Sequence, residues 1–168
     1  MSTTCKESTF TTFFNQHASA LRNFLYFKFG NSEIADDKTQ EAFIKLWQNC
    51  KDVPIEKAKS YLYTVAKNSS LNEINHHKVV LEYQKTSRPL EYTNESPEHL
   101  YEQEEFRKKL NQAINNINET QRIAFLMHRV DGKKYHEIAE ELGISIKAVE
   151  KRIHLALLEI KKEIENFK

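Results

Sequence analysis

Residues 135–162, YHEIAEELGISIKAVEKRIHLALLEIKK, decide how this chain is read. Tyr135, Ile138, Ala139 and Leu142 repeat at i, i+3, i+4 and i+7, an apolar stripe that only another helix can cover. Gly143 then supplies the backbone freedom of a tight corner. Ser145 follows as the N-cap of a second helix, its hydroxyl placed to satisfy an orphan backbone donor. On that helix Ile146, Val149, Ile153, Leu157 and Ile160 fall on one side, while Lys147, Glu150, Lys151 and His154 cluster on the other. Two short helices around a glycine corner make a helix-turn-helix, which lays its second helix in a major groove with its first residues against base edges. Lys147, Lys151 and Arg152 suit phosphates or guanine, and Glu150 suits a cytosine amino group. A charge run alone is more often a solvated helix face; the corner and the two phased stripes favour DNA reading.

Outward from that motif, the composition is that of an all-α protein. The 168 residues suffice for one domain or two small ones, and with only 3 glycines and 3 prolines strand-like alternation is hard to find. A net charge of +1 gives no global attraction to nucleic acid, so autonomous DNA affinity is expected to be weak, with a larger partner supplying the rest. Cys5 and Cys50 show no metal or redox spacing and read as ordinary reduced thiols. The N-terminus lacks the basic and apolar runs of a signal peptide, and no stretch approaches a membrane span. Cytoplasmic residence without membrane insertion is the expectation. An enzyme is disfavoured: despite 7 histidines, no nucleophile–base pair, phosphate-cradling glycine loop or metal quartet has recognisable spacing, and no cofactor is expected.

The polar segment from about Gln84 to Glu98, QKTSRPLEYTNESPE, breaks helical periodicity and holds two of the prolines. It divides the chain into two small helical domains, 1–83 and 101–168, joined by a flexible linker over 84–100. In the first domain one helix carries Phe10, Phe13, Phe14, His17, Leu21, Phe24 and Leu25 and ends near Gly30. A second carries Ala35, Thr39, Ala42, Phe43, Leu46 and Trp47 and is opened by Asp36 and Asp37. A third, with Tyr61, Leu62, Val65, Ala66, Leu71 and Ile74, starts after Pro54 with Ser60 as its cap. Beyond the linker, one helix containing Leu110, Ala113, Ile114 and Ile117 stops near Asn118. Another runs from Glu119 to Val130 before Asp131-Gly132 turns the chain into the helix-turn-helix.

Taken together, ADDKTQEAFIKLW at 35–47, YLYTVAKN at 61–68 and the run NETQRIAFLMHRVDGKKYHEIAEELGIS after the linker resemble a bacterial RNA polymerase sigma factor of the extracytoplasmic-function (ECF) class, in the family's order from about residue 10 to residue 162. The resemblance implies a dissociable subunit that binds core RNA polymerase and brings it to promoters. Region 2 would contact the polymerase clamp and the minus-10 element, and region 4 the minus-35 element and the polymerase flap. Anti-sigma proteins often hold members of the family inactive, so an anti-sigma partner is implied as well.

Residue by residue, Asp37, Gln40, Glu41 and Lys45 align with the polymerase-binding surface and can share one hydrophilic helix face. Lys67, Asn68 and Ser69 fall where the family captures a flipped minus-10 base; Tyr61 and Tyr63 are stacking or packing groups, Tyr61 preferably core. Where many members carry an aspartate and an arginine pair, this chain has Asn72, Asn75, His76 and His77, a loss of positive charge that Lys78 and Lys85 partly offset. Adjacent histidines on a helix diverge and lack a spaced partner, which argues against metal at His76-His77. In region 4, Glu150, Lys151, His154 and Leu155 occupy base-reading positions, with Ser145, Lys147 and Arg152 better placed for phosphate. The competing reading, a stand-alone helix-turn-helix repressor or activator, leaves the N-terminal blocks unexplained.

Overall fold

The computed structural model describes residues 3–69 and 96–165. Seven helices make up these residues: α1 (Glu7–Phe29), α2 (Ser32–Gln48), α3 (Ile55–Lys67), α4 (Pro97–Asn116), α5 (Glu119–Arg129), α6 (Tyr135–Leu142) and α7 (Ile146–Glu165). Among the described residues none belongs to a sheet, and no helix is long and apolar enough to cross a membrane. Of the linker expected over 84–100, residues 84–95 lie outside the described residues, as do Leu71, Ile74, Asn72, Asn75, His76, His77, Lys78 and Lys85; its last part is not linker, because Ser96 caps α4 and Pro97 opens it.

Helices α1 to α3 enclose an aromatic-rich core. Leu21, Phe24 and Leu25 of α1 are buried with Phe43 and Leu46 of α2 and Leu62 and Tyr63 of α3. Gly30 closes α1 in the left-handed region at φ 71°, its N–H donating to the Tyr26 carbonyl, as the apolar run predicts. The start of α2 differs from the expectation: Asn31 caps it, its side-chain oxygen accepting from the Ile34 amide at 3.0 Å. Asp36 and Asp37 therefore sit more than a turn inside, because a capping amide placed earlier satisfies the free N–H groups directly. Likewise Pro54 precedes α3, and Ser60 lies within the helix, where its carbonyl accepts from the Thr64 hydroxyl.

Helices α4 to α7 form the second unit. Ile114, Leu126, Met127, Ile138, Val149 and Ile153 are buried at its centre. Ser96 and Asn118 cap α4 and α5 with side-chain oxygens that accept from the amides of His99 and Thr120. Gly132 and Gly143, both at φ +67°, make the turns on either side of α6. The Ser145 cap is confirmed, its hydroxyl accepting from the Ala148 amide at 3.1 Å. On α7 the buried row is Val149, Ile153, Ala156 and Ile160; Ile146 and Leu157, expected beneath, stand about half exposed. A helix turns about 100° per residue, so Leu157 overshoots the row that Ala156 continues.

The cysteine expectation is overturned. Cys5 and Cys50 form a disulfide across a sequence separation of 45, with Cα atoms 5.2 Å apart. Thr3 pairs with Pro54 beside it, so the arm before α1 lies along the α2–α3 corner.

Candidate nucleic-acid interface

Each candidate residue takes its setting from the helix that carries it. Lys147, Glu150, Lys151 and His154 all project from the exposed side of α7, opposite Val149 and Ile153. None of the four forms a hydrogen bond or ion pair with another described residue. The packed inner row fixes the rotation of α7, and the Gly143 corner fixes its start, so this row is presented outward as a rigid set. Ser145 is exposed at the N-terminus of the same helix; Leu155 is half-buried. Arg152 stands apart from the row. It turns toward the first unit and lines a cleft of about 260 Å³ with Phe24, Lys28, Lys67, Ile123 and Leu142.

At the end of α3 the second set is engaged rather than free. The Lys67 ammonium donates to the Leu142 carbonyl at 2.7 Å, while the Lys67 carbonyl accepts from Lys28 at 2.6 Å. Lys67 Nζ also lies 3.3 Å from where a Cβ on residue 143 would be, a tight approach beside the positive backbone angle that favours glycine at this corner. Asn68 is exposed at the helix terminus, and the Ser69 hydroxyl donates to the Val65 carbonyl at 3.1 Å. Both tyrosines pack, but the more deeply buried is Tyr63 rather than Tyr61. Tyr63 is the core residue, 1% exposed and edge-on to Phe24, whereas Tyr61 is half-buried and accepts from Asn49 at 3.1 Å. Burial and the nearby Glu141 carboxylate raise the Tyr63 hydroxyl far above its ordinary pKa.

On α2, Asp37, Gln40, Glu41 and Lys45 are all exposed and share one helix face with Ile44. Lys38 pairs with Glu41 at 3.3 Å, and Arg22 pairs with the neighbouring Asp36. The face is thus mixed acidic and apolar, with its charges in water.

The two units meet through α1 against α5 and α3 against α6. At the centre Glu141, its side chain 4% exposed, lies between Lys133 at 2.5 Å and Lys59 of the first unit at 3.2 Å. Lys133 also donates to the Tyr63 hydroxyl at 3.3 Å and sits over its ring. Flanking this cluster, Asn23 donates to Asp131 at 2.9 Å, and Arg122 donates to the carbonyls of Phe27 and Lys28 at 3.1 and 3.4 Å. Burial lowers the pKa of Arg122 and Lys28 and raises that of Asp131.

Family models match both units: sigma-70 region 2 over residues 13–79 and sigma-70 region 4 over residues 107–160. The ferric citrate uptake sigma factor FecI of Escherichia coli (strain K12) is 29% identical over 156 residues, covering 92% of this chain and 90% of the relative. The ECF RNA polymerase sigma factor SigE of Mycolicibacterium smegmatis is 25% identical over 145 residues, covering 83% of this chain and 55% of the relative. This chain belongs to the ECF class of the sigma-70 family. Its fold is shared with the sigma factor RpoE from Bartonella quintana, in a co-crystal structure with the anti-sigma factor NepR, at a TM-score of 0.57 and 16% identity over 93% of this chain and 96% of that one.

As an ECF sigma factor the protein is an initiation subunit, not an enzyme; it binds core RNA polymerase and directs initiation at promoters carrying minus-10 and minus-35 elements. The inter-unit cluster is what the sequence reading of this sigma factor missed. One signal was available: Glu141 falls three residues after Ile138, in phase with the apolar stripe of α6. A carboxylate at a buried helix phase announces a paired cation.

Proposed function

We propose that the unpaired outer row of α7 faces the minus-35 element, Glu150, Lys151 and His154 reading bases with Leu155 beside them, and Ser145, Lys147 and Arg152 on phosphates once Arg152 swings out of the inter-unit cleft. The observation that carries this is the row's exposure without partners directly after a glycine-cornered, serine-capped turn. Lys67, Asn68 and Ser69 contact the minus-10 strand once Lys67 leaves the Leu142 carbonyl. Asp37, Gln40, Glu41 and Lys45 bind the polymerase clamp, their acidic groups pairing with basic side chains of the partner. In this reading residues 1–83 form region 2, the linker starts at 84 and ends where Ser96 caps α4, and α4 to α7 form region 4. The protein works in the cytoplasm, where core polymerase and promoter DNA are found. An anti-sigma protein is a further partner, supported by apolar side chains left exposed on both units, Phe14, Ile44 and Trp47 on one and Leu157 and Leu158 on the other.

Transcription by purified core enzyme across a randomised minus-35 library tests the reading. Lys151→Ala is expected to relax preference at one or two positions by roughly tenfold, the discrimination of a single base contact. A uniform drop at every promoter instead assigns Lys151 to phosphate, and an unchanged profile removes it from the interface.

A further inference from the structure

The disulfide stands where the face assigned to polymerase ends. Residues 49–54 turn the chain from α2 into α3, and Cys50 comes just after the exposed Trp47, Gln48 and Asn49. The bridge holds the N-terminal arm on this corner, with Thr3 paired to Pro54 and Thr4 fully buried. Among the described residues the Thr4 hydroxyl has no hydrogen-bond partner, and burying such a group opposes the arm's position. The covalent link offsets that cost and ties the arm to the corner. Phe10, just beyond the arm, stacks edge-on against Trp47 at 5.0 Å and Phe43 at 6.1 Å, so the arm's anchorage extends to the exposed end of α2. The two cysteines are unequally enclosed: Cys50 is buried and Cys5 is half-buried. Lys6 and Lys51 flank them in sequence, and cationic neighbours favour the thiolate that exchange requires.

We propose that Cys5 and Cys50 are a reversible redox modification site, exchanging with a small thiol–disulfide couple of the glutathione class, whose oxidised state preorganises the end of α2 for core polymerase. In reduction a small thiolate attacks the sulfur of Cys5, the less enclosed of the pair, the Cys5–Cys50 bond breaks, and Cys50 leaves as a thiolate that takes up a proton. A second small thiolate then attacks its counterpart in the mixed disulfide, releasing Cys5 as a thiolate, which is protonated, and one small disulfide. Two small thiols are oxidised and one protein disulfide is reduced; oxidation runs the same steps backward. Reduction unties residues 3–6 from the α2–α3 corner and removes the covalent hold on the arm that leads into Phe10 and its contact with Trp47.

The polymerase part of this inference rests on α2 being the polymerase-binding helix, and the test separates the two. The full chain is equilibrated in buffers of varied reduced-to-oxidised glutathione ratio, the thiols are trapped by alkylation, and binding to core RNA polymerase is measured at each ratio. The expected result is a disulfide that interconverts between cytosol-like and oxidising ratios, with the oxidised form melting roughly 10 °C higher and binding core about tenfold more tightly through preorganisation. Cys5→Ser is expected to bind like the reduced protein at every ratio, which excludes cysteines of the polymerase as the source. A pair that stays wholly oxidised or wholly reduced across the range overturns the redox site. Interconversion with equal binding overturns its coupling to polymerase. Asp37→Lys with Glu41→Lys, if it leaves core binding intact, overturns the assignment of α2 itself, whatever the state of the cysteines.

Discussion

The outer row of α7 and the end of α3 carry the two sets of side chains assigned to promoter DNA, and their circumstances are opposite. On α7, Lys147 and Lys151 stand in water without partners, so contact with DNA displaces only their hydration and some rotamer freedom. At α3 the Lys67 ammonium is already bound to the Leu142 carbonyl, at the corner of the helix-turn-helix itself. In the proposed role, contact between Lys67 and DNA requires that this hydrogen bond be given up, by rotation of the side chain or by the units parting. The carbonyl just before the corner that aims α7 outward is the one that holds Lys67 inward. A partner that separates the units would release the second set.

The sharpest break of this comparison is a substitution that spoils α7 from beneath. Ile153 is 2% exposed on the inner row, and Ile153→Ala is expected to cost about 2–5 kcal/mol from lost burial and the cavity left behind. Lys151→Ala on the outer row should change stability by no more than about 0.5 kcal/mol while altering promoter choice. Urea denaturation of both variants checks the division. Equal destabilisation by the two would show that α7 is rotated away from the described orientation.

Next in size is the latch that keeps Lys67 engaged. Glu141→Ala leaves Lys133 and Lys59 facing each other without their shared carboxylate, and removing one partner of a buried ion pair costs about 3–5 kcal/mol. Lys59 is partly exposed and screened by solvent, so about 2 kcal/mol against the closed arrangement is expected, with Glu141→Gln losing less because it keeps an acceptor. Small-angle scattering reads this as an increase in the radius of gyration of the free protein. An unaltered radius in Glu141→Ala would mean that the apolar contacts of α1 with α5 hold the units together without the cluster.

The comparison also separates what the amino-acid order reveals from what it hides. The α6–α7 motif is legible because its determinants are local: an apolar stripe, a glycine at φ +67° and a serine cap all lie within one short run. The outward row of α7 follows from periodicity alone. Capping is legible only when the strongest cap is weighed against nearby acids; at α2 Asn31 prevails over Asp36 and Asp37. The Cys5–Cys50 pairing has no short-range signature, since it depends on the α2–α3 corner folding back onto the arm. Contacts between the units are equally non-local. Asn23 and Asp131 meet across 108 positions, and neither residue type predicts the other.

The smallest expected effect tests whether the closed arrangement responds to pH through His17. This imidazole stacks on Phe13 at 4.4 Å; burial lowers its pKa, Lys59 and Lys133 lower it further, and Glu141 opposes them. The folded protein thus favours neutral His17. Its contribution is complete above the ordinary histidine pKa of about 6.5 and is lost as pH falls through the lowered folded value. Asp131 has the opposite sign: burial raises its carboxyl, so its contribution is complete below the ordinary carboxylate value and is lost as pH rises through the raised one. The melting temperature of the wild type should fall as pH drops from about 7 to about 5. His17→Gln should flatten that slope, and Asp131→Asn should leave the His17 dependence in place. A slope unchanged in His17→Gln would move the pH response to other groups and leave the packing of Phe13 against His17 as a purely apolar contact.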